Sequence, residues 1–312
     1  MQMKLSIIVP CFDEEEVIRE TNTSLNKLTG KLLHEKLIDD FEIIYVDDGS
    51  GDNTLGLLKE FALEDKRIKV ISFSGNFGHQ YALTAGLHHA SGDAAVSLDA
   101  DLQDPPEVIE DMLRKFNEGF EVVYGVRGKR DKDALFKRVT ARLFYRLMKI
   151  MGVNLVYDHA DYRLVSRNVL DVFKEYTEVN RFLRGIFPAM GFKQAVVEYE
   201  RDERFAGKTK YPLGKMLAFA IEGVTSFSYV PLRFAAMLGF IIFVLSLLFT
   251  FWAFLAWMSG RVVPGWASTV LPLYLFGGIQ LMFLGIIGEY IGKIYIEVKK
   301  RPLYVIKDKY NF

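Results

Sequence analysis

Short apolar runs alternate with longer amphipathic segments along the first part of the chain. Leu5-Ser6-Ile7-Ile8-Val9-Pro10, Phe41 to Val46, Ile68 to Phe73, Ala94 to Leu98 and Glu121 to Gly125 each read as a buried strand. Asp13-Glu14-Glu15-Glu16 opens a helix after the first run, because acids in a first turn complement the helix dipole. Gly75-Asn76-Phe77-Gly78-His79 leads from the third run into an apolar helical segment at 81–87. Strands alternating with helices predict an open, mostly parallel α/β sheet.

The pattern then changes. Residues 234–260 and 262–288 are two stretches of 27 positions without a charge, separated by Arg261. A bilayer-spanning helix needs roughly 20 apolar residues, so the two stretches predict a C-terminal transmembrane hairpin. Trp252, Trp257 and Trp266 crowd the connection, as in an interfacial aromatic belt. The connection carries only Arg261, whereas the far ends carry Lys208, Lys210, Lys215, Arg233, Lys293, Lys299, Lys300 and Arg301. Positive-inside bias then places both termini in the cytoplasm. Two amphipathic stretches precede the hairpin, Asn180 to Pro188 and Pro212 to Tyr229. Basic residues beside an apolar face suit helices lying in the membrane interface; packing on the sheet is the competing arrangement, and the membrane is favoured. The expected segments are a sheet domain at 1–165, juxtamembrane amphipathic helices at 166–230, two membrane helices at 231–292 and a cytoplasmic tail at 293–312.

Composition adds limits. Half the residues are hydrophobic and 14% aromatic, which is rich for a soluble protein. The single cysteine, Cys11, excludes an internal disulfide and fits a reducing compartment. It is expected to pack near the first strand end and not to act as a nucleophile. The N-terminal apolar run is too short for a signal peptide. Net charge is zero, yet nine Lys/Arg face two Asp between Arg127 and Lys149. His79, His88, His89 and His159 lack the spacing of a zinc site. Two apolar helices without an intramembrane charge offer no pathway for a channel or transporter.

In open α/β sheets, ligands sit outside the carboxyl ends of the strands. There this chain carries Asp13 and Glu14, Asp47 and Asp48, Asn76 and Gly78, and Asp99 and Asp101. The fourth end, Asp99-Ala100-Asp101-Leu102-Gln103-Asp104-Pro105-Pro106, holds the most telling chemistry. Strand alternation is lost at a strand end, so Asp99 and Asp101 are free to turn toward one point beside the Gln103 amide. Hard oxygen donors of this kind suit Mg²⁺ or Mn²⁺. A lone Asp-x-Asp reads as a solvated acidic turn; polar groups at four successive strand ends favour a ligand site.

Three motifs carry a resemblance: Ser-Ile-Ile-Val-Pro-Cys-Phe-Asp-Glu-Glu (6–15), Val-Asp-Asp-Gly-Ser-Gly-Asp-Asn-Thr (46–54) and Asp-Ala-Asp-Leu-Gln-Asp-Pro-Pro-Glu (99–107). They resemble the inverting family 2 glycosyltransferases of GT-A fold. The Asp-Ala-Asp-Leu-Gln form and the apolar hairpin narrow this to the polyprenyl-phosphate type, closest to the bactoprenol glucosyltransferases, with dolichol-phosphate mannose synthase as a cousin. The resemblance implies a Rossmann-like, mostly parallel catalytic domain followed by interfacial helices and the hairpin. It implies donor contacts at Pro10, Glu14 and Asp48, and a metal and diphosphate site at Asp99, Asp101 and Gln103. Asn76 and Gly78, at the third strand end, are added to the donor set, as is Asp99. Arg127 matches a family arginine only approximately. Arg138 and Arg204 resemble arginines that hold the acceptor phosphate; Arg204 opens Arg-Phe-Ala-Gly-Lys-Thr-Lys-Tyr, where Thr209 replaces the family's serine. The Gln-x-x-Arg-Trp motif of processive synthases is absent from the sequence, which implies one sugar per transfer.

The implied reactants are a nucleotide sugar, with UDP-glucose favoured and GDP-mannose the alternative, and a membrane polyprenyl phosphate. The acceptor phosphate has a second pKa near 6, so it is already largely a dianionic nucleophile and needs positioning more than a base. Arg127, Arg138, Arg142, Arg204 and Lys210 supply cations for that purpose, since arginine makes forked contacts with phosphate. Arg142, with Arg146 and Lys149, is open to a second reading, attraction of anionic headgroups. Asp161 is assigned to the catalytic set with Asp99 and Asp101, in one of three roles: orienting the attacking phosphate, binding a sugar hydroxyl, or pairing with Arg163. A non-catalytic nucleotide-sugar scaffold is the reading from another class, and the intact Asp99, Asp101 and Gln103 set weighs against it. A two-helix hairpin also invites self-association; no nucleic-acid partner is expected.

Overall fold

The computed structural model describes residues 3–128, 159–200, 228–259 and 265–312. The five expected strands form as β1 (Lys4–Cys11), β2 (Asp40–Asp47), β3 (Ile68–Phe73), β4 (Ala94–Ser97) and β5 (Val122–Arg127). Helices α1 (Ile18–His34), α2 (Thr54–Glu64), α3 (His79–His89) and α4 (Val108–Asn117) join them. Apolar residues run without alternation because both sheet faces are covered. Ile7, Ile43 and Tyr45 enter one core with Leu25, Leu58 and Met112 from α1, α2 and α4. Ile8, Ile44 and Val46 enter the other with Leu83 of α3.

Three further strands complete the sheet: β6 (His159–Ser166), β7 (Gln194–Tyr199) and β8 (Ile306–Tyr310). The order is β7-β5-β6-β4-β1-β2-β3-β8. Pairings β1–β2, β1–β4, β2–β3 and β5–β7 are parallel, while β6 runs antiparallel to β4 and β5, and β8 antiparallel to β3. The sheet is therefore mixed. The register Ser97↔Arg163 sets the start of β6 just beyond the carboxyl end of β4, which brings Asp161 to Asp99.

Helices α5 (Arg167–Glu175) and α6 (Leu183–Ala189) lie on the α3 face. Ser166 caps α5, its hydroxyl accepting from the Val169 N–H at 3.2 Å. The expectation that Asn180 to Pro188 lies in the membrane interface is corrected. Phe182, Leu183, Ile186 and Phe187 are buried, and the last three join Leu170 and Phe173 in the second core. Their apolar side is taken up by the sheet domain, so none is left for lipid. The other interfacial stretch, from Pro212, lies outside the described residues up to 227.

Two long helices follow, α7 (Val230–Met258) and α8 (Trp266–Lys299). Among the described residues one segment, Leu275–Lys299, is long and apolar enough to cross a membrane, and Val230–Ser246 is apolar but shorter. Phe240, Leu248 and Phe249 of α7 and Leu273 and Leu281 of α8 are exposed. The C-terminal tail is not a free extension. Its strand β8 forms the edge of the same sheet, and Asn311 donates to the carbonyls of Ala62 and Ile68 at 2.6 and 2.8 Å. Sheet strands thus extend past the boundary expected at 165.

Candidate active site

The carboxyl ends of β1 to β4 form one cluster because their loops tie each other down. Asp13, held at φ 54°, accepts from the Gly51 N–H at 2.7 Å, and the Ser50 hydroxyl accepts from the Asp13 N–H at 3.1 Å. The Glu14 N–H donates to the Thr54 hydroxyl at 2.9 Å. Gly49 has φ 71°, and a Cβ there would fall 2.4 Å from the Gly75 backbone. Only glycine lets the second and third loops approach so closely.

Asp48 is almost fully buried, and its two oxygens accept from the N–H groups of Phe77 and Gly78 at 2.7 and 2.8 Å. Burial pushes its carboxyl up, and the two N–H groups oppose this. Asp48 therefore fixes the third loop at the entry to α3. Asn76 is exposed on that loop, while Pro10 is buried within β1. Glu14 is partly exposed at the loop after β1.

At the end of β4, Leu102 sits between Asp101 and Gln103 at φ 53°, a region that leucine rarely enters. Strain of this sort collects at functional loops. The Asp101 carboxylate accepts from the Gln103 N–H at 3.1 Å, and the Gln103 side chain is buried. The Asp99 carboxyl is pushed up by its enclosed position and by the charges of Asp161, Asp104 and Asp101, while His79 opposes the rise. His79 Nε2 lies 3.5 Å from Asp99 Oδ1 and 3.7 Å from Asp161 Oδ2. The charges of Asp161, Asp104 and Asp101 bear on Asp99 here, and Asp99 and Asp101 with the Gln103 amide offer the hard oxygen donors that suit Mg²⁺ or Mn²⁺.

Asp161 makes the contact named in the third of its expected roles. It pairs with Arg163, and Arg184 Nη2 lies 3.1 Å from its other oxygen, to which Gln80 Nε2 donates at 3.2 Å. Burial works against its charge, but Arg184, Arg163 and His79 outweigh it and hold the carboxyl far below the usual range. A group held so firmly ionised is a poor proton acceptor at neutral pH.

Arg127 also finds a partner other than the one expected. Its Nη2 lies 3.4 Å from both Asp104 oxygens, and the Tyr199 hydroxyl donates to Asp104 at 2.6 Å. These residues brace the loop after Asp101. Arg138, Arg142, Arg204 and Lys210 lie outside the described residues. Cys11 is buried, and burial followed by the charges of Glu14, Asp47, Asp52 and Asp99 pushes its thiol up, as a packing role requires.

His79, Gln80 and Arg184 join the cluster without a motif of their own, and the histidine spacing speaks only against zinc. Arg184 stands among apolar residues, and its signal is a single charge within a helix whose Leu183, Gly185, Ile186 and Phe187 are buried.

The family model described as Glycosyl transferase family 2 matches residues 6–173. The uncharacterized glycosyltransferase YkoT of Bacillus subtilis is 51% identical over 99% of this chain and 93% of its own length. The prophage bactoprenol glucosyl transferase homolog of Escherichia coli is 40% identical over 98% of this chain and 99% of its own. Among solved structures, glucosyl-3-phosphoglycerate synthase from Mycobacterium tuberculosis, in complex with Mn²⁺, UDP and phosphoglyceric acid, is 21% identical, covering 72% of this chain and 76% of its own, with a TM-score of 0.46.

Proposed function

The chain belongs to glycosyl transferase family 2, and from that premise we propose that it moves one hexose, glucose from UDP-glucose in the favoured case, onto a polyprenyl phosphate at the cytoplasmic membrane face, with inversion. The observation that carries this reading is the end-to-end match to relatives named bactoprenol glucosyl transferase. It spans 98% of this chain and 99% of the Escherichia coli relative, so it takes in the apolar helices as well as the sheet. Apolar helices beside the sheet would hold the domain at the surface where a lipid acceptor lies.

The reaction balances without an added reagent. A lipid phosphate oxygen attacks the sugar's anomeric carbon, the bond to the nucleoside diphosphate breaks, and the diphosphate leaves with the electron pair. Mg²⁺ or Mn²⁺ held by Asp99 and Asp101, with Gln103 beside them, would neutralise charge on that leaving group. Asp48 holds the third loop, with Asn76 and Gly78, against the donor; Glu14 and Pro10 flank the same opening. Asp161 orders the site through Arg163, Arg184 and Gln80 and takes no proton, and the dianionic acceptor needs none removed. Arg138, Arg142, Arg204 and Lys210 are proposed to receive the acceptor phosphate, and Arg127 to stabilise the metal loop.

The fold supports two membrane crossings. Strands β1 and β8 share a sheet, so the chain between them crosses a bilayer an even number of times. Leu275–Lys299 supplies one crossing and α7 would supply the other, with the catalytic domain and both termini on one side. Membranes containing the protein, given radiolabelled UDP-glucose, UDP-galactose, UDP-N-acetylglucosamine and GDP-mannose in turn with polyprenyl phosphate, test the reading. Label should enter the lipid fraction from UDP-glucose. Label entering only from GDP-mannose would move the donor assignment, and no label from any donor would overturn the function.

A further inference from the structure

The end of α8 is built into the loops beside the acidic cluster through two separate contacts. In the first, the chain leaves α8 through Lys300 at φ 46°, and Tyr304 stacks on Phe73 with centroids 4.9 Å apart and planes at 12°. Phe73 meets Phe77 edge-on at 5.6 Å, and the Phe77 N–H is one of the two that hold Asp48. The Ser74 N–H donates to the Val305 carbonyl at 3.0 Å, which fixes the strand end beneath that loop. In the second, Glu297 Oε1 accepts from the N–H groups of Val179 and Asn180 at 2.8 and 3.2 Å. The Val179 carbonyl accepts from the Tyr81 hydroxyl at 3.0 Å, and the Leu183 N–H donates to Gln80 Oε1 at 3.2 Å.

Both contacts converge on the first turn of α3. His79 there faces Asp99 and Asp161, and Gln80 donates to Asp161. We infer that residues 297–310 form a positioning element for the donor and metal site, with Tyr304 and Glu297 as its two contact points, in addition to closing the membrane tether. This rests on the reading of Asp48, Asp99 and Asp101 as that site. A mere tether would end in a flexible linker, whereas this one ends in a stacked ring and a carboxylate aimed at two backbone N–H groups.

The role is one of order, so it shows in both acceptor-dependent and acceptor-free measurements. Full-length Tyr304→Leu keeps apolar bulk but loses the stacked plane, and Tyr304→Phe keeps the plane. Glu297→Ala removes the acceptor, and Glu297→Gln keeps one. UDP affinity in the presence of Mn²⁺ is expected to fall about tenfold in Tyr304→Leu and Glu297→Ala and to stay within about twofold in the two conservative variants, since small misplacements near a site cost much of its function. Hydrogen exchange at the Phe77 and Gly78 amides is expected to quicken in Tyr304→Leu. Transfer to long-chain and to short soluble polyprenyl phosphate should fall by the same factor.

Unchanged UDP affinity with unchanged protection of those amides would overturn the inference, as would a loss confined to the long-chain acceptor. UDP binding and amide exchange need no acceptor. A wild-type protein that binds UDP yet glycosylates no lipid would therefore count against the proposed function and leave this inference standing on its own readouts.

Discussion

Asp101 and Asp99 differ in what surrounds them, and that difference sets how each is tested. Asp101 holds the Gln103 N–H and is only half-buried, so Asp101→Ala should leave the fold intact and reduce transfer by at least about 100-fold, the scale of losing a transition-state charge partner. Transfer undiminished in that variant, or undiminished in excess chelator, would contradict the metal site. Asp161 is different, because Asp161→Asn leaves the buried Arg163 guanidinium without its counter-charge. Breaking such a pair costs about 3 kcal/mol or more, so the variant should unfold at lower denaturant as well as turn over more slowly. A midpoint equal to the wild type would show the pair to be dispensable. His88, on the buried side of α3, has no hydrogen-bond partner for Nε2 among the described residues. Burial, and then the nearby charge of Arg181, holds its imidazole down at about 4. The unfolded chain takes up a proton near 6.5 that the folded chain refuses until about 4, so stability should fall as pH drops through that window. His88→Leu should flatten the slope in chemical denaturation; an unaltered slope would place its origin elsewhere.

At the scale of elements, the loops matter more than the strands. Gly49→Ala would drive a methyl group into the Gly75 backbone at a positive φ, so it should weaken UDP binding and lower the melting temperature together. Normal values for both would mean that the loops have room to separate. The five strands β1 to β5 were legible because each is a short apolar run buried on both faces. Strand β6 was not, since its centre Asp161-Tyr162-Arg163 carries a buried ion pair that reads as a polar loop. Strand β8 was not, since Ile306-Lys307-Asp308-Lys309-Tyr310 is an edge with three consecutive exposed charges at its centre, the usual protection of a sheet edge. The Asp99 and Asp101 pair could be read from its spacing, while His79 reaches Asp99, and Arg184 reaches Asp161, only through tertiary placement. Helix α6 was misread for a related reason: an apolar face with flanking arginines looks the same whether it meets lipid or a sheet.

For the whole molecule, the length of α8 bears on how the sheet domain would stand to a membrane under the proposed topology. Its 34 residues extend about 51 Å, well beyond the ~30 Å of a hydrocarbon core, so one end projects toward the domain and carries Glu297 with it. A reporter fused after Phe312 should mature on the same side as one fused before Met1, because β8 lies in the sheet of β1; opposite sides would contradict two crossings. Removing everything from Pro231 onward also removes β8, Tyr304 and Glu297, so the truncated domain should bind UDP less well than the full chain, and not only lose lipid transfer. The two apolar stretches were plain in the sequence, but the return of the chain into the sheet was not, because five residues of mixed polarity give no strand signal by themselves. The central claim is that one hexose passes from a nucleotide to a lipid phosphate under control of the acidic cluster. Mass spectrometry and anomeric NMR of the lipid formed from UDP-glucose and undecaprenyl phosphate test it most directly. The predicted product is lipid phosphate carrying a single β-linked hexose, made by the wild type and absent with Asp101→Ala; a chain of sugars, an α-linked product, or equal product from both proteins would contradict it.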